Sequence, residues 1–240
     1  VRYDGSLKAS VILKDLAPFV PALSRFEEPL DLNLVFSGHG KHLDCPTLRL
    51  TNHHGLMIAG EAALSNWDAG MDMYIYGKLG NLTMTKEGIN VLMTNLTGKV
   101  PPILQRLDYI RFNGEAAGYL HDLTLTGLVH TGAGMVKTDV MMSIDEQSMS
   151  RTYSGSVASA DLDLGKLLNQ EKKFGKVDFN VELKGFNYKN RYPESYIKGI
   201  ISSFEYSQYQ YENIMLDGVY KDGGFNGRLS MDDANGSVQI

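Results

Sequence analysis

Leu30-Asp31-Leu32-Asn33-Leu34-Val35-Phe36 decides the fold. Leu30, Leu32, Leu34 and Phe36 fall on one side of an extended chain and Asp31 and Asn33 on the other, the period of two that a half-buried strand requires. Outward from this stretch the alternation returns at Met71/Met73/Ile75, Leu123/Leu125, Val136/Thr138/Val140/Met142, Val177/Phe179/Val181/Leu183 and Ile214/Leu216. Turn formers separate the runs: Asn52-His53-His54-Gly55, Lys86-Glu87-Gly88, Gly132-Ala133-Gly134, Asp222-Gly223-Gly224 and Asn235-Gly236. Alternating strands joined by such turns predict a mainly β fold. The expectation is a long, antiparallel, curled and repetitive sheet, groove-like or an open barrel, with a few short amphipathic helices.

Three short helices are expected. Asp15 to Phe26 carries Leu16, Phe19, Val20 and Leu23 at helical spacing, limited by Pro18 and Pro21. Pro101 to Leu107 and Asp163 to Glu171 are similar pieces. Each is followed by the same strand sketch: Leu30-x-Leu32-Asn33 ending at Gly38, Ile110-x-Phe112-Asn113 ending at Gly118, and Val177-x-Phe179-Asn180 ending at Gly185. A leucine stands upstream each time, at Leu16, Leu96 and Leu162 or Leu164, and a hairpin follows: Thr47–Leu64, His121–Ile144 and Asn213–Met231. The third unit has an extra strand, Tyr196 to Tyr206. The pattern reads as approximate repeats over 10–75, 95–150 and 157–240. A repetitive meander needs its ends continued or capped. With Val1 at the start and strand-like Ser237-Val238-Gln239-Ile240 at the end, the chain is expected to be a segment of a longer array.

Composition narrows the function. Of 240 residues, 43% are hydrophobic, enough for a folded core, and 23 Lys+Arg against 28 Asp+Glu leave a net charge of −5. With no basic cluster, nucleic acid is not expected as a partner. One cysteine, Cys45, excludes a disulfide framework and a thiolate zinc site. No run approaches the ~18 apolar residues of a membrane helix.

No catalytic set emerges, and the reading is of a non-enzymatic protein without a cofactor. His39, His42, His53 and His54 fit no metal motif and read as loop residues. Adjacent carboxylates (Asp232-Asp233, Asp161/Asp163, Glu27-Glu28) suit strand ends and caps better than acid–base catalysis. Asn81-Leu82-Thr83 and Asn95-Leu96-Thr97 match glycosylation sequons of the kind that arise by chance. Tyr188, Tyr192, Tyr196, Tyr206, Tyr209, Tyr211 and Tyr220 fit cross-strand packing, with a saccharide platform as the rival. Methionines are frequent, among them Met57, Met71, Met73, Met84, Met93, Met135, Met141, Met142 and Met149, and a Met-rich surface accommodates varied apolar guests.

A single sheet with few helices either closes on its own side chains, as a structural scaffold that binds a partner without conducting lipid, or leaves an apolar trough. Acyl chains suit such a trough, because burial yields about 0.8 kcal/mol per methylene without directional contacts. The candidates for lining it are Leu32, Leu34, Met71, Met73, Leu123, Leu125, Val140, Phe179, Val181, Ile214 and Leu216.

Several stretches carry a resemblance: Ala160-Asp161-Leu162-Asp163-Leu164-Gly165-Lys166, then Phe174-Gly175-Lys176-Val177-Asp178-Phe179-Asn180-Val181-Glu182-Leu183-Lys184-Gly185-Phe186, then Ile214-Met215-Leu216-Asp217-Gly218-Val219-Tyr220-Lys221-Asp222-Gly223-Gly224. With the strand–turn–strand Leu48-Arg49-Leu50-Thr51-Asn52-His53-His54-Gly55, they resemble the repetitive region of TamB/AsmA-like envelope proteins of the Bacteroidetes type. The resemblance implies a periplasmic β-groove in a protein held in the inner membrane by an N-terminal helix outside this sequence. It further implies phospholipid movement between the two membranes, a role in outer-membrane protein assembly, and a BamA/TamA-like barrel partner contacted through regions elsewhere in the protein.

Overall fold

A computed structural model describes residues 1–17, 24–145, 147–148, 150–187, 194–234 and 236–240, with the backbone alone at 16, 96 and 97. Pro18, Phe19, Val20, Pro21, Leu23, Met149, Tyr188, Tyr192 and Asn235, and the side chains of Leu16 and Leu96, therefore lie outside the described residues. The fold is mainly β, with 69% of residues in strands. The strands are β1 (Arg2–Ile12), β2 (Pro29–His39), β3 (His42–Thr51), β4 (Leu56–Ser65), β5 (Tyr74–Thr85), β6 (Tyr109–Tyr119), β7 (Asp122–Thr131), β8 (Gly134–Ile144), β9 (Arg151–Asp163), β10 (Phe174–Asn187), β11 (Glu194–Tyr206), β12 (Tyr209–Lys221), β13 (Gly224–Asp233) and β14 (Gly236–Gln239). They form one antiparallel sheet in sequence order, not closed into a barrel. The chain divides into two compact units: unit 1 is Val1–Ala117 with Val129–Gly132, and unit 2 is Gly118–Leu128 with Ala133–Ile240.

Helices are α1 (Lys86–Thr97), α2 (Pro102–Gln105) and α3 (Leu164–Leu168). The last two fall inside the predicted segments, and Asp163 caps α3 by accepting from Lys166 N. At the first predicted helix the described residues give 3₁₀ structure, at Leu13–Leu16 and again at 24–25. The longest helix is the unexpected one: Lys86-Glu87-Gly88, read as a turn, is the first turn of α1. Thr85 caps it by accepting from Gly88 N at 3.3 Å, Glu87 complements the N-terminal dipole, and Gly98 closes it in the left-handed conformation. Gly88 serves packing here, since a Cβ would stand 3.0 Å from His54 O.

Strand phase is kept by bulges. Between Cys45 and Leu48 the register of β3 slips by one, so the apolar phase passes from odd to even positions without leaving its face. Asp161 (φ 59°) stands at a comparable slip in β9. The glycines that end the recurring strand sketch share one environment. A Cβ at Gly38, Gly118 or Gly185 would overlap a carbonyl oxygen of the next strand, of His42, Asp122 and Glu194 respectively. Gly38 and Gly185 also lie under a tyrosine ring from the preceding strand, Tyr3 and Tyr153.

Candidate functional site

The printed registers sort unit 1 into two unlike faces. On one, cross-strand rows read Ala9–Leu32–Leu50–Ile58–Leu82 and Leu7–Leu34–Leu48–Gly60–Leu79. The row towards one strand end is small, Gly5–Phe36 and Cys45–Ala62–Gly77, with Phe36 laid on Gly5. Every strand position on this side of β1–β5 is apolar or glycine. The opposite side carries Lys8–Asn33–Arg49, the Lys78–Glu115 pair at 3.7 Å, and His42 bonded to Ser65 (2.7 Å) and Asp44 (3.0 Å).

Unit 2 separates its faces less strictly, with Thr138, Ser159 and Ser195 on the apolar side and Ile200 and Met215 on the polar side. Thr138–Val157–Val181–Gly199–Leu216–Leu229 crosses one face, and Asp139–Ser156–Glu182–Lys198–Asp217–Arg228 crosses the other. Tyr196 OH donates to Asp217 Oδ1 at 2.6 Å and Lys198 Nζ lies 3.6 Å from Oδ2. The Tyr196 bond, then the charges of Lys198 and Arg228, hold the Asp217 carboxyl below its ordinary range.

The apolar face has little cover. Among the described elements, substantial contacts are between consecutive strands, plus α1 with β5 and α2, and α3 with β10. On that face Leu32, Leu34, Leu48, Leu79 and Leu82 are only half-buried and Leu7 is 42% exposed. Fully buried apolar side chains are accordingly few, and Ile89 of α1, at 1% exposure, is the most enclosed.

Of the groove candidates, Leu32, Leu34, Val140, Phe179, Val181, Ile214 and Leu216 stand on the apolar face of their strands. Leu123 and Leu125 lie on β7, opposite the side on which Asp122 and Thr126 bond to Ser143 and Asp139. Met71 and Met73 differ from the strand reading. Met71 is in a 3₁₀ turn (Gly70–Asp72) and Met73 follows it, because Gly70 at φ 61° and the bond from Met73 N to Gly70 O close a turn before β5 begins. The methionines do not gather on the apolar face. Met57 pairs with Thr83 and Met141 with Ser154 on the polar side, while Met142 is on the apolar side.

In each unit the apolar face has its own finish. In unit 1, α1 stands over the end where β3 leaves and β4 enters. Beneath it is a chamber of about 170 Å³ lined mostly by Leu30, Leu50, Leu56, Ile58, Val91 and Leu92, with Leu13 and Phe26 beside them and the amides Asn52 and Asn95 completing the wall. Glu28 Oε2, shielded at the rim, contacts His54 Nε2 at 2.9 Å. In unit 2, Phe174, Phe204, Tyr206, Tyr209 and Tyr211 pack ring on ring, with Tyr209 and Tyr211 meeting edge-on at 64°. Those tilted rings, and Tyr196 on the other face, make no coplanar saccharide platform.

Larger hollows of about 530, 460 and 590 Å³ lie on the polar side of unit 2. Their linings mix charged side chains such as Glu182, Lys184, Lys198 and Asp217 with the apolar Ile200, Met215, Met141 and Phe186, so an acyl chain there would have to desolvate charge. Cys45 is a buried apolar residue of the sheet, its thiol pushed up by burial and then by Asp44. Among the described residues, no three His, Cys, Asp or Glu side chains converge as a metal would need.

Fold and surface together define a class, an open amphipathic β-sheet with an apolar face largely bare of a second layer. No family model, no curated protein and no solved structure matches the chain.

Proposed function

We propose that the chain is a non-enzymatic lipid-handling segment that carries phospholipid acyl chains on the apolar face of its sheet, in the manner of TamB/AsmA-like envelope proteins. On this reading it works in the periplasm, moves lipid between inner and outer membranes, and serves outer-membrane protein assembly with a BamA/TamA-like barrel partner. One observation supports it above the rest: every strand position on one side of β1–β5 is apolar or glycine, yet Leu32, Leu34, Leu48, Leu79 and Leu82 there are only half-buried and Leu7 is 42% exposed. A surface that only had to stay in water would not keep this separation.

The dimensions agree. From Tyr3 to Val11 the strip spans about 27 Å at ~3.4 Å per residue, longer than the ~15 Å that acyl chains occupy in one leaflet of a ~30 Å hydrocarbon core. Cross-strand glycines with aromatic rings over them keep the strip free of projecting polar groups. Carriage asks only for burial, at about 0.8 kcal/mol per methylene, which fits a face with no catalytic constellation.

The test places a charge on the strip. Leu125→Asp with Val181→Asp should abolish crosslinking to photoactivatable phospholipid in membranes while the β circular-dichroism signal stays intact. Unchanged crosslinking would remove the acyl-carrier reading.

A further inference from the structure

The chamber beneath α1 is closed on more sides than any open row of the face, and a conveying strip has no use for a closed end. Its floor is the end of the unit 1 apolar face: Leu30 of β2, Leu50 of β3, and Leu56 and Ile58 of β4. Its roof is Val91 and Leu92 of α1, anchored by Ile89. We propose that this chamber is a tail stop, a subsite that takes the terminal carbons of a single acyl chain lying on the strip. The inference rests on the acyl-carrier reading and adds a polarity and a length limit to it.

Size, lining and charge point to that occupant. An apolar cavity of about 150 Å³ admits benzene, so the chamber's roughly 170 Å³ accepts about six carbons and no headgroup. The floor residues continue directly into the row Leu34–Leu48, so a chain leaving the chamber stays on apolar surface. Glu28 stands at the rim with its Oε2 shielded and held to His54. A second carboxylate or a phosphate entering there would meet that charge, whereas a methyl end meets the leucine, valine and isoleucine side chains, with Phe26 beside them and Asn52 and Asn95 completing the lining. The tail thus enters first, and the headgroup is left towards the Tyr3 and Trp67 end, whose rings stand 6.1 Å apart.

The experiment uses the whole chain and palmitate labelled with ¹³C at its terminal methyl. In the wild type, the terminal methyl should give nuclear Overhauser contacts to the methyls of Val91, Leu92 and Ile58. Affinity should rise about fourfold per added methylene, as ~0.8 kcal/mol each implies, up to the chain length that fills the chamber. Val91→Phe, which fills the space, should erase those contacts and weaken palmitate binding at least tenfold while the β circular-dichroism signal stays intact. Val91→Ala, which cannot overpack, should move the optimal length upward by one or two carbons, keeping the idea testable if the phenylalanine variant fails to fold. Palmitate that binds with its methyl against Leu34 or Leu48, equally in all three proteins, overturns the tail stop and leaves the acyl-carrier reading standing. No binding of any fatty acid by the wild type removes both.

Discussion

In unit 1 the apolar face runs beneath a twelve-residue helix, whereas unit 2 has only the five-residue α3 and ends its face in a group of five packed aromatic rings. Both answers cover apolar surface at a strand end, but they distribute the stabilisation differently. A helical roof depends on the side chain that enters the sheet, here Ile89. Rings that cover one another share the burial among several partners at about 0.5–1.5 kcal/mol per aromatic pair beyond area. The contrast teaches that stability at the helix-roofed end is concentrated and at the ring-covered end diffuse.

Ile89→Ala gives the largest expected effect. It removes a side chain 1% exposed, and denaturant unfolding should show a loss of about 2–5 kcal/mol. Leu168→Ala on α3, a side chain 43% exposed, should stay within about 0.5 kcal/mol. Equal losses would break the comparison.

Glycine replacements sharpen it. Gly38→Ala in unit 1 and Gly185→Ala in unit 2 each drive a methyl group into a neighbouring carbonyl and a tyrosine ring, so both should cost about 1–3 kcal/mol. Gly77→Ala, with open space around its Cβ, should be neutral or slightly stabilising. Should Gly38→Ala unfold no more easily than Gly77→Ala, the Tyr3 ring is not seated as described.

The smallest effect concerns acid. Asp217 in unit 2 has its carboxyl lowered from 3.8 by the Tyr196 bond first and then by Lys198 and Arg228. A depressed carboxyl contributes stability that is fully present above its unfolded value and is lost as pH falls below it, through the lowered folded value. Asp217→Asn should therefore flatten the fall in unfolding midpoint below about pH 4 and leave the midpoint at pH 7 almost unchanged, since the pair is exposed. A steep acid limb that persists unaltered in the variant would assign the sensitivity elsewhere.

The mainly β fold was legible because alternation is a local signal: Leu30 to Phe36 and Val177 to Leu183 state their faces without help from tertiary structure. Helix α1 was not, because Gly88 reads as a turn former until His54 O is seen at its back. Its signal lay in Thr85 as cap, Ile89, Leu92 and Met93 at helical spacing, and Gly98 as stop. Met71 and Met73 continue the parity of Ile75, and nothing local announces the turn at Gly70–Asp72 that removes them from the strand. The face candidates were readable from period two. The chamber was not, since Leu30, Leu56 and Val91 come together only when three strands and a helix pack.

The strand order carries one more consequence. Since each strand bonds to the strands that precede and follow it in the chain, ladder formation closes mostly short hairpin loops, the cheapest kind in entropy, with the longer connections at 13–28 and 86–108 as exceptions. Such a sheet can grow hairpin by hairpin as it leaves the ribosome or a translocation pore, with no early strand waiting for a late one. Its growing edge is its sticky part at every stage, so speed of emergence, more than any final contact, governs whether it assembles or aggregates.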